Sequence, residues 1–253
     1  MLLDSLLMAV KLIFSFDSEL YKILFRSLYL ALCSVMLAGV LGIPLGTWLA
    51  LKKFKIKSLL VKWLYVFMGL PPVFIGLLVF LFLSRSGPIG PIIYILFTPW
   101  AIIIAQALLA LPIITGLTLN AVEEKADVVL MTARGLGAKG GQLYSTLIKE
   151  VRIAIIAALV TAFGRVIAEV GAVMLVGGDI EGKTRVLTTS IVLETRQGNF
   201  GKALALGIIL LILSFLVNNI LYDWQYKVQP SRLGMFLKAT IKGGQNVRGS
   251  KYK

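Results

Sequence analysis

Residues 129–151 read VLMTARGLGAKGGQLYSTLIKEV, from Val129 to Val151. Arg134, Lys139 and Lys149 share this short stretch with Gly135, Gly137, Gly140 and Gly141. Upstream, Ser86 to Val122 carries no charge; downstream, Ile153 to Val176 carries only Arg165 and Glu169. A basic, glycine-punctuated segment between apolar runs of that length reads as a water-exposed connection between membrane spans. Its compactness makes it a candidate docking surface for a cytoplasmic protein.

Composition supports the membrane class. Of 253 residues, 58% are hydrophobic and only 15% charged, too little polar surface for a soluble domain of this length. The net charge of +14 raises the possibility of nucleic acid. The basic residues, however, gather between apolar runs and toward the C-terminal end instead of forming a stripe on a soluble fold, so nucleic acid is not an expected partner. Cys33 is the single cysteine and lies in an apolar run, which excludes an internal disulfide and a cysteine metal cluster and reads as a buried spacer. Histidine is absent, removing imidazole acid/base chemistry and the commonest metal ligand. No paired carboxylates assemble an enzyme site.

A span needs about 20 largely apolar residues. Five are predicted: Leu28 to Leu51, Trp63 to Ser84, Thr98 to Asn120, Ile153 to Val176 and Ala203 to Tyr222. Pro71-Pro72 predicts a kink in the second, because proline removes an amide donor and clashes with the preceding turn. Gly39, Gly42, Gly46 and Gly76 read either as helix-packing positions or as breaks beside a wet cavity. Before the first span, Leu2, Leu3, Leu6, Leu7, Val10, Ile13 and Phe14 recur at helical spacing, interrupted by Asp4 and Lys11. That predicts an amphipathic surface helix, not a cleavable signal. The basic clusters at 52–62, 125–152 and 227–253 fall on one side if the N-terminus is outside and the C-terminus cytoplasmic.

The connection itself predicts two pieces. Glu123, Glu124 and Asp127 favour a helix N-terminal region, and helical spacing resumes from Leu143 to Val151 after the glycine turn. The segment resembles the loop shared by membrane subunits of ABC importers: Glu-Ala-Ala, three residues, Gly, nine residues, Ile-x-Leu-Pro. On that frame Thr132 and Ala133 take the alanine positions, Gly137 the glycine and Leu147 the isoleucine. Met131 replaces the glutamate, and Lys149-Glu150 replace Leu-Pro. A closer likeness runs from Phe163 to Phe200, FGRVIAEVGAVMLVGGDIEGKTRVLTTSIVLETRQGNF, which resembles permeases of tungstate importers and, more broadly, of molybdate and sulfate importers.

The resemblance implies an all-α membrane protein with the type I ABC importer permease fold: five transmembrane helices plus the N-terminal amphipathic helix. It implies a transmembrane domain over 1–226, containing a coupling segment over 123–151, and a flexible basic tail over 227–253. Thr132, Ala133, Arg134, Gly135, Gly137, Ala138, Lys139, Leu143 and Leu147 are then the surface that meets an ATPase. The implied partners are a second permease copy, two ABC ATPase subunits that bind ATP-Mg, and an extracytoplasmic tungstate-binding protein. The chain itself would hold no cofactor and perform no chemistry. It would give alternating access, in a prokaryotic cell membrane, to an oxyanion. Molybdate or sulfate is the alternative cargo; an ion-driven secondary transporter or channel is the rival class, but no internal repeat supports it.

Two further sites stand out. GGDIEGKT, Gly177 to Thr184, has the spacing of a phosphate-binding loop, but a membrane span precedes it where a buried strand is required. Gly177-Gly178 is expected simply to end the span, leaving Lys183 and Arg185 for an extracytoplasmic contact with a binding protein or an arriving anion. Arg165 and Glu169, four residues apart, are expected to share a helix face and pair. They read as a structural brace or a pathway cation with its holder. The brace is preferred, since a strong anion site would trap cargo.

Overall fold

The computed structural model describes residues 2–15 and 17–228. Among these no strand occurs, and the helices follow in the order α1 Leu2–Phe14, α2 Ser18–Leu51, α3 Lys57–Met68, α4 Pro72–Leu83, α5 Pro99–Gly135, α6 Gly141–Ile167, α7 Gly171–Gly177, α8 Leu187–Arg196 and α9 Phe200–Val228. Of the tail expected over 227–253, residues 227 and 228 belong to α9, and the rest lies outside the described residues. Among the described residues three helices, α2, α5 and α9, are long and apolar enough to cross a bilayer. The pairs α3–α4 and α6–α7 are bent by 98° and 66°, and each counts as a crossing only if taken as one broken span, giving three to five.

α2 begins at Ser18, well before the expected Leu28, because Asp17 caps it: the carboxylate accepts from the amides of Glu19 and Leu20 at 3.0 Å each. The early turns are held by Leu20 and Ile23, buried with Ala9 of α1 and Leu206 of α9. Lys202 of α9 bonds Glu19 at 2.9 Å, so a charged stretch that hydropathy discounts is anchored by ion pairing. α1 lays Ala9 against the bundle and leaves Leu3, Leu6, Leu7 and Phe14 exposed.

α2 and α5 form the most extensive helix pair, and the close approach comes from glycine. A Cβ on Gly46 would lie 2.5 Å from the Thr115 carbonyl oxygen, and one on Gly42 3.1 Å from Ile114. In lipid the hydrophobic effect does not drive helices together, so such small-residue contacts carry the association. The packing reading of Gly42 and Gly46 therefore holds, and α2 continues unbroken through Pro44.

The 123–127 expectation is corrected. Glu123, Glu124 and Asp127 lie in the interior of α5, which runs from Pro99 to Gly135 as one helix. Once the span is helical, adding residues to its end needs no new nucleus, and nothing breaks the chain before the glycines. Glu123 instead bonds Lys57 at 2.7 Å, and Lys125 meets Glu150 at 3.6 Å. α5 and α6 thus form a long antiparallel hairpin sealed by Val122, Ala126, Leu147, Val151 and Ile155.

The fourth span is corrected too: the helix stops at Ile167 and restarts at Gly171. α8 was not foreseen. Its residues Leu187, Thr188, Thr189, Ser190 and Glu194 are buried, and their hydroxyls hid a helix that packs against α9.

Candidate functional site

The hairpin end is built by the turn 136–140. The Gly137 amide donates to the Arg134 carbonyl and that of Ala138 to the Ala133 carbonyl, both at 2.9 Å. Gly137 has φ +85° and Gly140 φ +51°, a region where an L side chain strains the backbone. Gln142 accepts from the Lys139 amide at 3.2 Å and so closes the turn just ahead of α6.

The nine predicted contact residues divide. Ala133 and Leu147 are buried and hold the hairpin's two legs together. Ala138 and Leu143 are half-buried, whereas Thr132, Arg134, Gly135, Gly137 and Lys139 are exposed. The Cβ positions of Gly135, Gly137, Gly140 and Gly141 face open space. Sequence reasoning named Leu143 and Leu147 but missed the more exposed apolar side chains: Val128 is 72% exposed, Met131 74% and Leu136 84%, and Tyr144 of α6 is exposed as well. They stand among the exposed Glu123, Glu124, Asp127, Arg134, Lys139 and Lys149, a setting for water and not lipid. The available signal was Leu136 itself, a large side chain between two glycines in a turn.

At the opposite end, the phosphate-loop spacing has another use. Gly177 ends α7 and Gly178 adopts φ +68°, as expected of a span terminus. The buried Thr184 hydroxyl donates to the Gly177 carbonyl at 2.6 Å and accepts from the Ile180 amide at 2.9 Å. The threonine therefore closes a turn and is not free for a phosphate. Thr184→Val leaves the buried Gly177 carbonyl and the partly buried Ile180 amide without this partner, and it is expected to cost about 1–3 kcal/mol. A lowered melting temperature in detergent is the readout, and an unchanged one would refute the assignment.

Lys183 is exposed on this turn. Arg185 is turned inward, 3.7 Å from Asp179 and 3.3 Å from Glu181, and Arg26 of α2 donates to its carbonyl at 3.1 Å. The two expected contact residues are thus not equivalent: Lys183 is available, and Arg185 ties the turn to α2.

Arg165 and Glu169 do meet, at 3.6 Å, though not on one helix. Glu169 lies past the end of α6, in the break. Its other carboxylate oxygen accepts from the Ala172 amide at 3.1 Å, and Thr188 of α8 donates to its carbonyl at 2.8 Å. Glu169 is buried, whereas the Arg165 side chain is 44% exposed. Behind them, Gln106 of α5 accepts from Ser34 at 3.0 Å and donates to the Val166 carbonyl at 3.4 Å. This buried polar link across α2, α5 and α6 also went unread, although Gln106 is the lone amide side chain in its apolar run before Asn120. The second break lies against the first: Val73 of α4 touches Gly171, and a Cβ on Gly76 would lie 2.5 Å from Ala172 Cα. A groove of about 540 Å³ among α2, α3, α4 and α5, lined by residues such as Leu45, Trp48, Trp63, Phe67 and Leu108, is almost wholly apolar and unsuited to an anion.

Residues 42–233 match the family described as binding-protein-dependent transport system inner membrane component. The chain belongs to that family. As such it is a multi-pass membrane component of a transport system that works with a binding protein, and the match covers both breaks and the whole hairpin. A tungstate uptake system permease protein of Peptoclostridium acidaminophilum is 41% identical over 217 residues, covering 86% of this chain and 95% of that protein. The protein of the same name from Campylobacter jejuni is 34% identical over 86% and 90% of the two chains. A molybdenum transport system permease protein of Azotobacter vinelandii is 27% identical over 78% and 90%. The resemblance on which the tungstate-permease family was expected is thus borne out at the family level.

Proposed function

We propose that this chain is the permease of an ATP-driven tungstate importer. Two copies form the path, two ATPase subunits that bind ATP-Mg dock on their hairpins, and an extracytoplasmic binding protein delivers the anion. The hairpin end is cytoplasmic, with the N-terminus outside. The supporting observation is the exposed apolar set Val128, Met131, Leu136 and Tyr144, placed among charges at the tip of a rigid hairpin. Apolar side chains in a water-facing, charged setting call for a protein partner.

The mechanics follow from continuity. α5 is a single helix of 37 residues, about 55 Å at the usual rise, and it connects the hairpin tip to the level of the two breaks. A displacement of the tip by a closing ATPase pair is carried along this rod to the α3–α4 and α6–α7 elbows, where the chain is already bent. Access changes there without remaking a helix.

The test is uptake by proteoliposomes holding the permease, its ATPase and its binding protein. Labelled tungstate should accumulate only with ATP and binding protein, and tungstate should outcompete molybdate and sulfate. Accumulation driven by an ion gradient without ATP would reject the assignment; preference for molybdate or sulfate would change the cargo alone.

A further inference from the structure

Arg165 lies in the apolar part of the bundle. Its level is fixed by Gln106, which reaches the adjacent Val166 carbonyl. Gln106 is about 11 Å along α5 from Pro99, well inside a hydrocarbon layer of about 30 Å. A half-exposed guanidinium at that depth cannot face lipid without heavy cost, so its open side faces protein or water. The same face of α6 carries Ala154 and Thr161, exposed and small, with the exposed Ala168 following at its C-cap, and the Cβ position of Gly164 meets nothing within 4 Å among the described residues. Space therefore surrounds the charge. The two helix breaks lie alongside it, joined at Val73–Gly171 and Gly76–Ala172, and broken membrane helices are tolerated where they are enclosed by protein or line a wet path.

Resting on the transport reading above, we propose that Arg165 is the cationic contact the oxyanion makes in transit, with Glu169 as its positioning residue. Glu169 is immobilised by the Ala172 amide and by Thr188, and its carboxylate approaches the Arg165 guanidinium to 3.6 Å, an ion pair outside hydrogen-bond distance. The donors of Arg165 are free to bind a tetrahedral dianion. The carboxylate also lowers the local positive charge, which resolves the objection that an intramembrane cation would trap its cargo: binding is weak enough to release.

The experiment separates a contact from a brace by neutralising one charge or both, in the complete complex of permease, ATPase and binding protein. Arg165→Gln should reduce tungstate uptake by about tenfold or more. It also strands the buried Glu169 and lowers thermal stability. In R165Q/E169Q no lone charge remains, so stability and binding-protein-stimulated ATP hydrolysis should return while uptake stays low. Arg165→Lys keeps a positive charge but loses the guanidinium's fork of donors, and it should retain more uptake than Arg165→Gln. Full uptake by Arg165→Gln would overturn the proposal, and so would uptake regained in the double variant together with stability, the behaviour of a brace. A wild-type complex that hydrolyses ATP but moves no oxyanion would instead remove the transport reading itself.

Discussion

Gly137→Trp is expected to reduce ATP-driven uptake to background while the permease still folds and enters the membrane. A Cβ at Gly137 meets nothing within 4 Å among the described residues, so the indole has room until a partner arrives. The positive φ of 85° adds backbone strain of about 1–2 kcal/mol, confined to an exposed turn. Strain and bulk are separable. Gly137→Ala carries the strain without the bulk and should retain most uptake. Gly135→Trp carries the bulk without the strain, since Gly135 is the last residue of α5 and has open space around it. It should uncouple as severely as Gly137→Trp. Co-purification of the ATPase should fall in step with uptake for both tryptophan variants. Wild-type uptake and normal ATPase capture by Gly135→Trp would show that the turn is not part of the docking surface.

The legible parts of this molecule were those that depend on runs of residue type. Apolar length located the cores of α2, α5 and α9, and Pro71-Pro72 located one break. The glycine turn located the hairpin tip. What escaped depended on partners distant in sequence. Ser18 to Ser27 looked too charged for a span because its stabilising contacts, Glu19 with Lys202 and Arg26 with the Arg185 carbonyl, lie far along the chain. α8 gave no hydropathy signal because it is rich in hydroxyls, and these are satisfied in the fold: Thr188 donates to the Glu169 carbonyl and Thr189 accepts from the Val186 amide at its own helix start. Glu123 to Asp127 carried a local signal for a helix start, and the cooperativity of a helix already running through the span overrode it. At Arg165 and Glu169 the spacing correctly paired the two side chains but gave no hint of the break between their elements. That break is what turns Glu169 inward and leaves Arg165 open.

The largest effect on the fold itself should come from adding one methyl group at Gly46. In Gly46→Ala the new Cβ would lie 2.5 Å from the Thr115 carbonyl oxygen, 2.9 Å from Thr118 Cβ and 3.1 Å from the Leu119 amide nitrogen. Two of these three are backbone atoms of a continuous helix, so relief requires α2 and α5 to separate along their most extensive contact. Overpacking of this kind costs about 1–3 kcal/mol, and the absence of a movable side chain puts Gly46→Ala at the upper end. For a chain of this size that corresponds to a melting temperature lower by about 6–12 °C in detergent. Gly42→Ala, one turn away on the same interface, is the control: its neighbours at 3.1 Å are side-chain atoms of Ile114 and Thr115, which can yield. Gly76→Ala should behave differently from both. Its obstacle, Ala172 Cα at 2.5 Å, belongs to the seven-residue α7, which is hinged at a break and can move as a piece. The loss there should fall more on transport than on melting, because α7 carries the Ala172 amide that holds Glu169. Removing the Ala172 side chain should not rescue it, since the nearest clash is with the main chain. A Gly46→Ala protein that melts with the wild type would mean that the α2–α5 approach is looser than its glycines imply.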